Sequence, residues 1–211
     1  MAEAAGWIRT GGLVVFPTRN LYGLGADALN PDAVARVFSA KNRPTSNPVS
    51  ILIGTRDWLE DFAAEISDSA RRIMDQFWPG GITLVFRANP GLPKNLTANT
   101  GTIGIRLPAH PAAAALVHAA GNPITATSAN TSNTPGAGRV SEISDPVVRA
   151  AGMILDAGAL VQGTGSTILD MTCDPPAVLR QGAVSEAQLR QVLPAVVSRN
   201  PAASRLNKEK E

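Results

Sequence analysis

The sequence predicts an α/β protein with a largely buried, mixed β-sheet, and three observations indicate it. Short apolar runs alternate with helical patterns along the chain, which is typical of a sheet covered by helices. Helix start signals stand between several of these runs. Two late runs lie too close together for a helical crossover, so we expect them to pair antiparallel. The predicted strands are residues 13–16, 49–53, 82–86, 102–106, 124–127, 153–156, 167–169 and 177–179.

Three segments carry the residue pattern that begins a helix. At residues 30–32, a capping amide, a proline at the first helical position and an acid precede a helix predicted over 33–40. Residues 145–146 repeat this signal, and Gly152 supplies the stop. Ser185 and Gln188 have capping-box spacing for a last helix that ends near residue 192.

The composition indicates one globular domain. Of the 211 residues, 44% are hydrophobic and 17% are charged. A chain of this size can bury a sizeable core without disulfide bonds or a structural metal ion. We predict a domain over residues 1–195 and a polar, disordered tail over residues 196–211. The net charge is +2, and the segment 199–211 supplies that excess. Overall charge therefore gives no case for nucleic-acid binding.

Cysteine and histidine are scarce, and the chain shows no targeting signal. Cys173 is the only cysteine and His110 and His118 are the only histidines, so we predict no disulfide and no metal site. No apolar stretch approaches the ~20 residues of a membrane span. Glu3 stands where a signal peptide carries positive charge. We therefore predict a cytoplasmic protein without membrane association.

The stretch FPTRNLYGLG, residues 16–25, leads from a buried strand through polar and turn-forming residues to two glycines. One interpretation is a plain strand end. The other is the wall of a ligand site, in which Thr18 and Asn20 face the ligand while Gly23 and Gly25 let the backbone pass close to it. The residues alone leave both interpretations open.

The stretch SAKNRPTSNP, residues 39–48, places Lys41 and Arg43 where a helix should end, because Pro44 disfavours helical geometry at the residue before it. The two cations either complement the helix C-terminus or bind a ligand. A lysine point charge beside an arginine fork is the combination that polyphosphate binding requires.

A single arginine lies inside the apolar strand of TIGIRLP, residues 102–108. An unpaired charge at Arg106 would cost at least several kcal/mol. The arginine must therefore be satisfied by a structural salt bridge or by a ligand carboxylate, which arginine binds with two parallel hydrogen bonds.

Two further segments place polar groups at strand ends. In ITATSANTSNTPG, residues 124–136, a strand is followed by residues with small hydroxyl and amide side chains. These side chains form either ordinary turns or an anion-binding concavity. A hairpin after residue 166 would bring Arg180 back towards Ser166. Together the five segments, each at a strand boundary of an open sheet, are typical of a nucleotide cleft.

Six segments, spread over about residues 11–192, resemble in the same order the motifs of the YrdC-like family of threonylcarbamoyl-AMP synthases. They are FPTRNLYGLGADA, KNRPTSNP, WPGGITLVF, TIGIRLPAHP, PITATSANTSNTP and STILD…VLR. The resemblance implies an open, twisted α/β sheet with a concave cationic cavity. It implies a reaction in which ATP, L-threonine and bicarbonate give threonylcarbamoyl-AMP and pyrophosphate, with Mg²⁺ accompanying ATP. It also implies that a separate transferase complex uses the product to modify tRNA.

The resemblance further implies roles for individual residues. The residues expected to hold ATP are Lys41, Arg43, Asn47, Thr102, Ser128, Asn130, Gly136 and Arg180. The residues expected to hold L-threonine are Thr18, Asn20, Leu52, Arg106, Ala126 and Ser166. Lys41, Arg43 and Arg180 are expected to act in catalysis by neutralising charge, and no general base is assigned.

The sequence departs from the family pattern at four positions. Arg19 stands where an acid is common, Asn20 where a second threonine is common, Leu52 where histidine is common and Gly136 where serine is common. The chain also ends without the extra C-terminal domain of longer members, which predicts the short form. Two alternatives to the synthase stay open: a paralogue that binds nucleotide without this activity, and a non-enzymatic module that binds tRNA or double-stranded RNA.

Overall fold

The computed structural model of the protein describes residues 1–161 and 163–199, and one ten-stranded mixed sheet organises them. The strands are β1 (Val14–Pro17), β2 (Tyr22–Gly25), β3 (Ser50–Leu52), β4 (Ile82–Arg87), β5 (Thr102–Arg106), β6 (Ile124–Ser128), β7 (Met153–Ile154), β8 (Thr167–Asp170), β9 (Ala177–Arg180) and β10 (Val197–Ser198). In spatial order they run β10-β9-β8-β4-β5-β3-β6-β2-β1-β7. The predicted α/β class is confirmed, and so is the antiparallel pairing of the two late strands, β8 and β9.

Helices cover the faces of this sheet, and two of the three predicted start signals are confirmed as side-chain caps. The third helix begins at Asp145 as predicted, but its N-cap is Ser144, which makes no side-chain capping hydrogen bond. The Asn30 side chain accepts hydrogen bonds from two backbone amides of the first turn, and Ser185 and Gln188 form a capping box. Within the described ranges, no helix is both long enough and apolar enough to span a bilayer. The helices are α1 (Ala2–Arg9), α2 (Pro31–Lys41), α3 (Leu59–Phe62), α4 (Asp68–Phe77), α5 (Pro111–Ala120), α6 (Asp145–Ala150) and α7 (Glu186–Val192).

Strand β1 shows why the first apolar run is continuous. Val14 and Phe16 pack with the buried side chains of α1 and α5, whereas Val15 packs with those of α2 and α6. A strand that is buried on both faces needs apolar residues at every position, so its sequence does not alternate between apolar and polar residues. A third apolar cluster lies under α4 and α7 and includes side chains of β3, β4, β5, β8 and β9.

Strand β2 lies where the sequence predicted only a polar connection, and its two glycines explain the difference. A Cβ atom on Gly23 would lie 3.0 Å from Cζ of Phe16, and one on Gly25 would lie 2.8 Å from Cε1 of the same ring. These glycines make room for a buried aromatic ring on the neighbouring strand. The expectation that both serve a ligand is therefore wrong for Gly25, because only Gly23 also lines the cavity described below.

Strand β10 begins inside the segment that the sequence assigned to a tail. Val196 is buried, and Val197 and Ser198 pair in parallel with β9. Ordered structure therefore continues past the predicted boundary at residue 195. Residues 200–211 of the predicted tail lie outside the described residues.

Candidate functional site

A cavity of about 460 Å³ opens over the middle of the sheet, and most of the predicted site residues line it. The cavity lies on the face of the sheet that α5 covers only in part. Ala113 of α5 forms one edge of the cavity. The predicted residues that line it are Thr18, Asn20, Lys41, Arg43, Asn47, Arg106, Ala126, Ser128, Asn130, Ser166 and Arg180.

The charges around this cavity have one sign. Lys41, Arg43, Arg106 and Arg180 all line it, and no aspartate or glutamate does so among the described residues. None of these four cations takes part in an ion pair within residues 1–161 and 163–199. Burial lowers the pKa of Arg43 and Arg106, and the charge of Arg180 lowers both further. Clustered, partly desolvated cations without acidic partners define a site for an anion.

Lys41 ends α2 and is almost completely buried. Its Nζ donates hydrogen bonds to the backbone oxygens of Ser128 and Asn130, and its own backbone oxygen accepts from the Ser132 amide at 2.8 Å. Lys41 therefore joins the end of α2 to the loop after β6. Burial, and then the charge of Arg43, lowers the pKa of Lys41 to about 8.

This lowered pKa makes anion binding depend on pH. A bound phosphate favours the protonated lysine, so above about pH 8 binding must take up a proton, and ATP affinity should fall by up to about tenfold per pH unit. Calorimetric titration with ATP between about pH 7 and about pH 9.5 measures the slope. Lys41→Met should bind ATP more weakly and flatten the slope, whereas Lys94→Met, at an exposed lysine outside the cavity, should keep it. A slope that persists in Lys41→Met would assign the titration to another group.

Arg43 shapes the loop that follows α2. Its Nε donates to the Asn47 backbone oxygen at 3.0 Å, and its Nη2 donates to the Pro48 backbone oxygen at 2.7 Å. Within the described ranges its Nη1 makes no hydrogen bond. One edge of the guanidinium therefore fixes residues 43–48, while Nη1 remains for a ligand in the cavity.

Arg106 ends β5, and it forms no salt bridge with any residue in the ranges 1–161 and 163–199. Its Nε is buried and has no hydrogen-bond partner among the described residues. Burial, and then the charge of Arg180, lowers the pKa of Arg106 to about 10. Of the two interpretations that the sequence left open, the described residues favour the ligand carboxylate, because a buried guanidinium Nε without a partner is costly.

The loop after β6 combines turn chemistry with unsatisfied atoms. The Asn130 Nδ2 donates to the backbone oxygens of Thr131 at 2.8 Å and Thr134 at 2.6 Å, which is ordinary turn stabilisation. The Asn130 Oδ1 and the Ser132 Oγ, however, are buried without a partner in the described ranges. Both residues line the cavity, so the loop offers a ligand two polar atoms that the fold does not use.

The β8–β9 hairpin brings Arg180 onto Ser166, as the sequence predicted. Arg180 Nη2 donates to the Ser166 backbone oxygen at 2.8 Å, and Nε donates to the same oxygen at 3.3 Å. The Ser166 Oγ lies 2.8 Å from the Thr83 Oγ1. Thr83 was not predicted as a site residue, yet it is buried and lines the cavity.

The segment FPTRNLYGLG forms one wall of the cavity and holds a neighbouring loop. Thr18 Oγ1 donates to the Leu21 backbone oxygen at 2.6 Å, and Asn20 Nδ2 donates to the Thr164 backbone oxygen at 2.8 Å. The Tyr22 hydroxyl accepts from the Ala157 amide at 2.9 Å. Asn20 therefore connects two parts of the chain across the cavity wall, and its Oδ1 makes no hydrogen bond among the described residues.

Three predicted site residues do not line the cavity. Leu52 lies beside Arg106 in the register of β3 and β5, but it is fully buried among the side chains of α5. Thr102 lies on the same face of β5 as Arg106, roughly 13 Å further along the strand, and its hydroxyl is 2.9 Å from that of Thr100. Gly136 packs against Leu21, since a Cβ there would lie 2.7 Å from Leu21 Cδ1.

An open mixed sheet with a cationic cavity defines an anion-binding α/β protein, and comparison with known proteins gives the family. A family model described as "Telomere recombination", covering Sua5, YciO and YrdC, matches residues 7–182. The chain belongs to this family.

Several proteins similar to this chain are named as established or putative threonylcarbamoyl-AMP synthases. The chain is 39% identical to the threonylcarbamoyl-AMP synthase of Pyrococcus abyssi over 90% of its length, and 37% identical to that of Bacillus subtilis over 92%. It spans 56% of each of these two relatives. It is also 38% identical to the putative threonylcarbamoyl-AMP synthase of Mycobacterium tuberculosis, over 92% of this chain and 88% of the relative.

Solved structures give the same fold. Pyrococcus abyssi Sua5 complexed with L-threonine matches with a TM-score of 0.90 and 37% identity, over 94% of this chain and 58% of that one. Escherichia coli YciO matches with a TM-score of 0.80 and 27% identity, over 89% of this chain and 91% of that one. These matches confirm the predicted YrdC-like fold.

Proposed function

We propose that the protein is an L-threonylcarbamoyladenylate synthase, which converts ATP, L-threonine and bicarbonate to threonylcarbamoyl-AMP and pyrophosphate. The observation that carries the proposal is the convergence of Lys41, Arg43, Arg106 and Arg180 on one cavity without an acidic side chain among its described lining residues. The product would serve a transferase complex that modifies tRNA, and these substrates make the cytoplasm the compartment in which the protein would act.

The cavity divides into two parts under this proposal. The α2 end and the loop after β6 take the phosphates, and Arg106 takes the amino-acid carboxylate with two parallel hydrogen bonds. For Leu52, Thr102 and Gly136 we propose no direct ligand contact, because they lie outside the cavity. The residues proposed around ATP are Lys41, Arg43, Asn47, Ser128, Asn130 and Arg180, and those around L-threonine are Thr18, Asn20, Arg106, Ala126 and Ser166.

The proposed chemistry proceeds in two steps. The threonine amine and bicarbonate condense to a carbamate with loss of water, and a carbamate oxygen then attacks the α-phosphorus of ATP as pyrophosphate leaves. Phosphorus-centred displacements depend on positioning and charge neutralisation more than on covalent catalysis. Lys41, Arg43 and Arg180 supply positive charge at the side where pyrophosphate departs.

Magnesium is proposed only as the ion that ATP carries. Protein-held Mg²⁺ normally uses one or two carboxylates besides the substrate phosphates, and no carboxylate lines the cavity among the described residues. Within those residues no group of three His, Cys, Asp or Glu side chains is placed to hold a metal. The described residues therefore form no resident magnesium site.

An enzyme suits this cavity better than the RNA-binding alternative. A volume of about 460 Å³ is in the range of small-molecule sites, and Arg106 sits at the end of an inner strand. An RNA backbone is instead tracked by exposed basic residues along a surface. The Arg106 Nε, which is buried without a partner among the described residues, suits a small carboxylate.

Pyrophosphate release tests the proposed function directly. ATP should give pyrophosphate only when both L-threonine and bicarbonate are present, and each omission should return the rate to background. A matched reaction with D-threonine controls for non-specific amine chemistry. Release that is independent of the amino acid, or steeply salt-dependent RNA binding without any release, would favour one of the two alternatives.

A further inference from the structure

The floor of the cavity beside Arg106 is built from small residues of neighbouring strands. Strands β4 and β5 pair antiparallel with Leu84 opposite Ile105, so Thr83 stands opposite Arg106 one position further on. Strands β3 and β5 pair in parallel with Ile51 beside Ile105, which puts Ser50 beside Gly104. Side chains directly opposite in a sheet share a face and have Cβ atoms about 5 Å apart.

Gly104 lets the side chains of Ser50 and Thr83 pack closely in this floor. A Cβ atom on Gly104 would lie 2.7 Å from the Ser50 Oγ and 3.2 Å from the Thr83 Cγ2, so these two side chains already occupy the space over Gly104. Ser50 and Thr83 both line the cavity. The floor beside Arg106 therefore presents two hydroxyl-bearing side chains.

The Thr83 hydroxyl is fixed in place by a short chain of contacts. Its Oγ1 lies 2.8 Å from the Ser166 Oγ, and Arg180 Nη2 approaches that same Ser166 Oγ at 3.4 Å. The two hydroxyls carry two hydrogens, and their mutual bond uses one of them. The pair therefore retains one hydrogen and several lone pairs for an atom in the cavity. Buried hydroxyls with spare capacity are expected to find a partner.

Resting on the proposed function, we propose that Thr83 is a specificity-determining residue that recognises the substrate's β-hydroxyl. Thr83 stands opposite Arg106 in the strand register and both residues line the cavity, so a small amino acid bound by Arg106 would lie within reach of the Thr83 hydroxyl. A site that hydrogen-bonds a substrate hydroxyl rejects the analogue that lacks it, because its own polar group is then left unpaired. The proposed subsite therefore prefers L-threonine to L-valine.

The variant that tests the proposal is Thr83→Val, which keeps the shape of the side chain and removes its hydroxyl. The wild-type preference for L-threonine over L-valine should fall by about tenfold in this variant, while ATP affinity changes by less than about threefold. The preference is measured as the ratio of amino-acid-dependent pyrophosphate release rates. It is measured independently as the ratio of calorimetric affinities in the presence of a non-hydrolysable ATP analogue.

Two further variants separate recognition from folding. Thr83→Ser restores the hydroxyl without the methyl group and should restore most of the preference for L-threonine over L-valine. Thr97→Val removes the hydroxyl of another buried threonine, which donates to the Lys94 backbone oxygen outside the cavity, and should leave the preference unchanged. Equal losses in Thr83→Val and Thr97→Val would mean that stability, not recognition, is affected.

An unchanged threonine-to-valine ratio in folded Thr83→Val would overturn the proposal, and so would a Thr83→Ser protein that behaves like Thr83→Val. Failure of the proposed function gives a different result. In that case wild type releases no pyrophosphate with any amino acid, and the calorimetric ratio alone decides whether Thr83 contributes to an amino-acid site. Absence of all amino-acid binding in wild type would overturn both.

Discussion

Replacing Arg106 with glutamine should weaken L-threonine binding by about thirtyfold or more while ATP affinity stays within about threefold. The physical reason is that glutamine keeps a hydrogen-bond donor but loses the charge and the fork that hold a carboxylate. Because the Arg106 Nε is buried without a partner among the described residues, the ligand supplies the interaction that the variant removes. Calorimetric titration of each ligand, with the other held constant, measures both affinities.

The thermal stability of the same variant distinguishes a ligand-binding role from a structural one. Arg106 has no ion-pair partner in the described ranges, and the charge of Arg180 opposes its own. Removing the charge should therefore leave the melting temperature of the unliganded protein unchanged or raise it. Arg87→Gln, at an exposed strand arginine outside the cavity, is the matched control and should alter neither affinity. A lower melting temperature with equal loss of both ligands would show that Arg106 is structural.

Replacing Arg43 with alanine should weaken ATP binding by roughly 1.5–3 kcal/mol, which corresponds to about ten- to 150-fold. Under the proposed function the loss has two sources: the variant lacks the Nη1 donor proposed for the phosphates, and the hydrogen bonds from Nε and Nη2 no longer fix residues 43–48. ATP affinity and pyrophosphate release measure the effect, with circular dichroism as the check on folding.

The conservative variant and a control on the same helix complete this test. Arg43→Lys should recover little, because a lysine cannot hold two backbone oxygens and still present a donor to the cavity. Arg36→Ala removes another arginine of α2, which donates to the Gly11 backbone oxygen at 2.9 Å, and should leave ATP binding unchanged. Unchanged ATP affinity in a folded Arg43→Ala protein would favour the helix-end interpretation of this cation.

The sequence was sufficient to predict elements whose signal is local. The helix start at Asn30 and the capping box at Ser185 depend on neighbouring residues, and both are found where predicted. The antiparallel hairpin that returns Arg180 to Ser166 follows from the short connection between two apolar runs. The cationic residues could be found because a charge at a strand or helix end contrasts with its apolar surroundings.

Features that depend on distant contacts could not be predicted from the sequence. Thr83 lies inside an apolar strand, where a β-branched residue is the ordinary choice, and only its contact with Ser166 distinguishes it. In the sequence the two glycines of β2 resemble loop residues, and only the structure shows that the Phe16 ring packs against them. The resemblance likewise assigned ligand contacts to Leu52, whose burial under α5 is a property of the assembled fold.

The order of the strands has a consequence for folding kinetics. Arg106 and Arg180 come from β5 and β9, on opposite flanks of β4 and β8, and the parallel pair β1–β7 joins Val14 to Met153. Pairings between residues so far apart in the chain form slowly, because the loops must close before the contacts stabilise them. We expect the ability to bind ATP to return late during refolding, after most helical signal has recovered, so that nucleotide binding reports completion of the sheet.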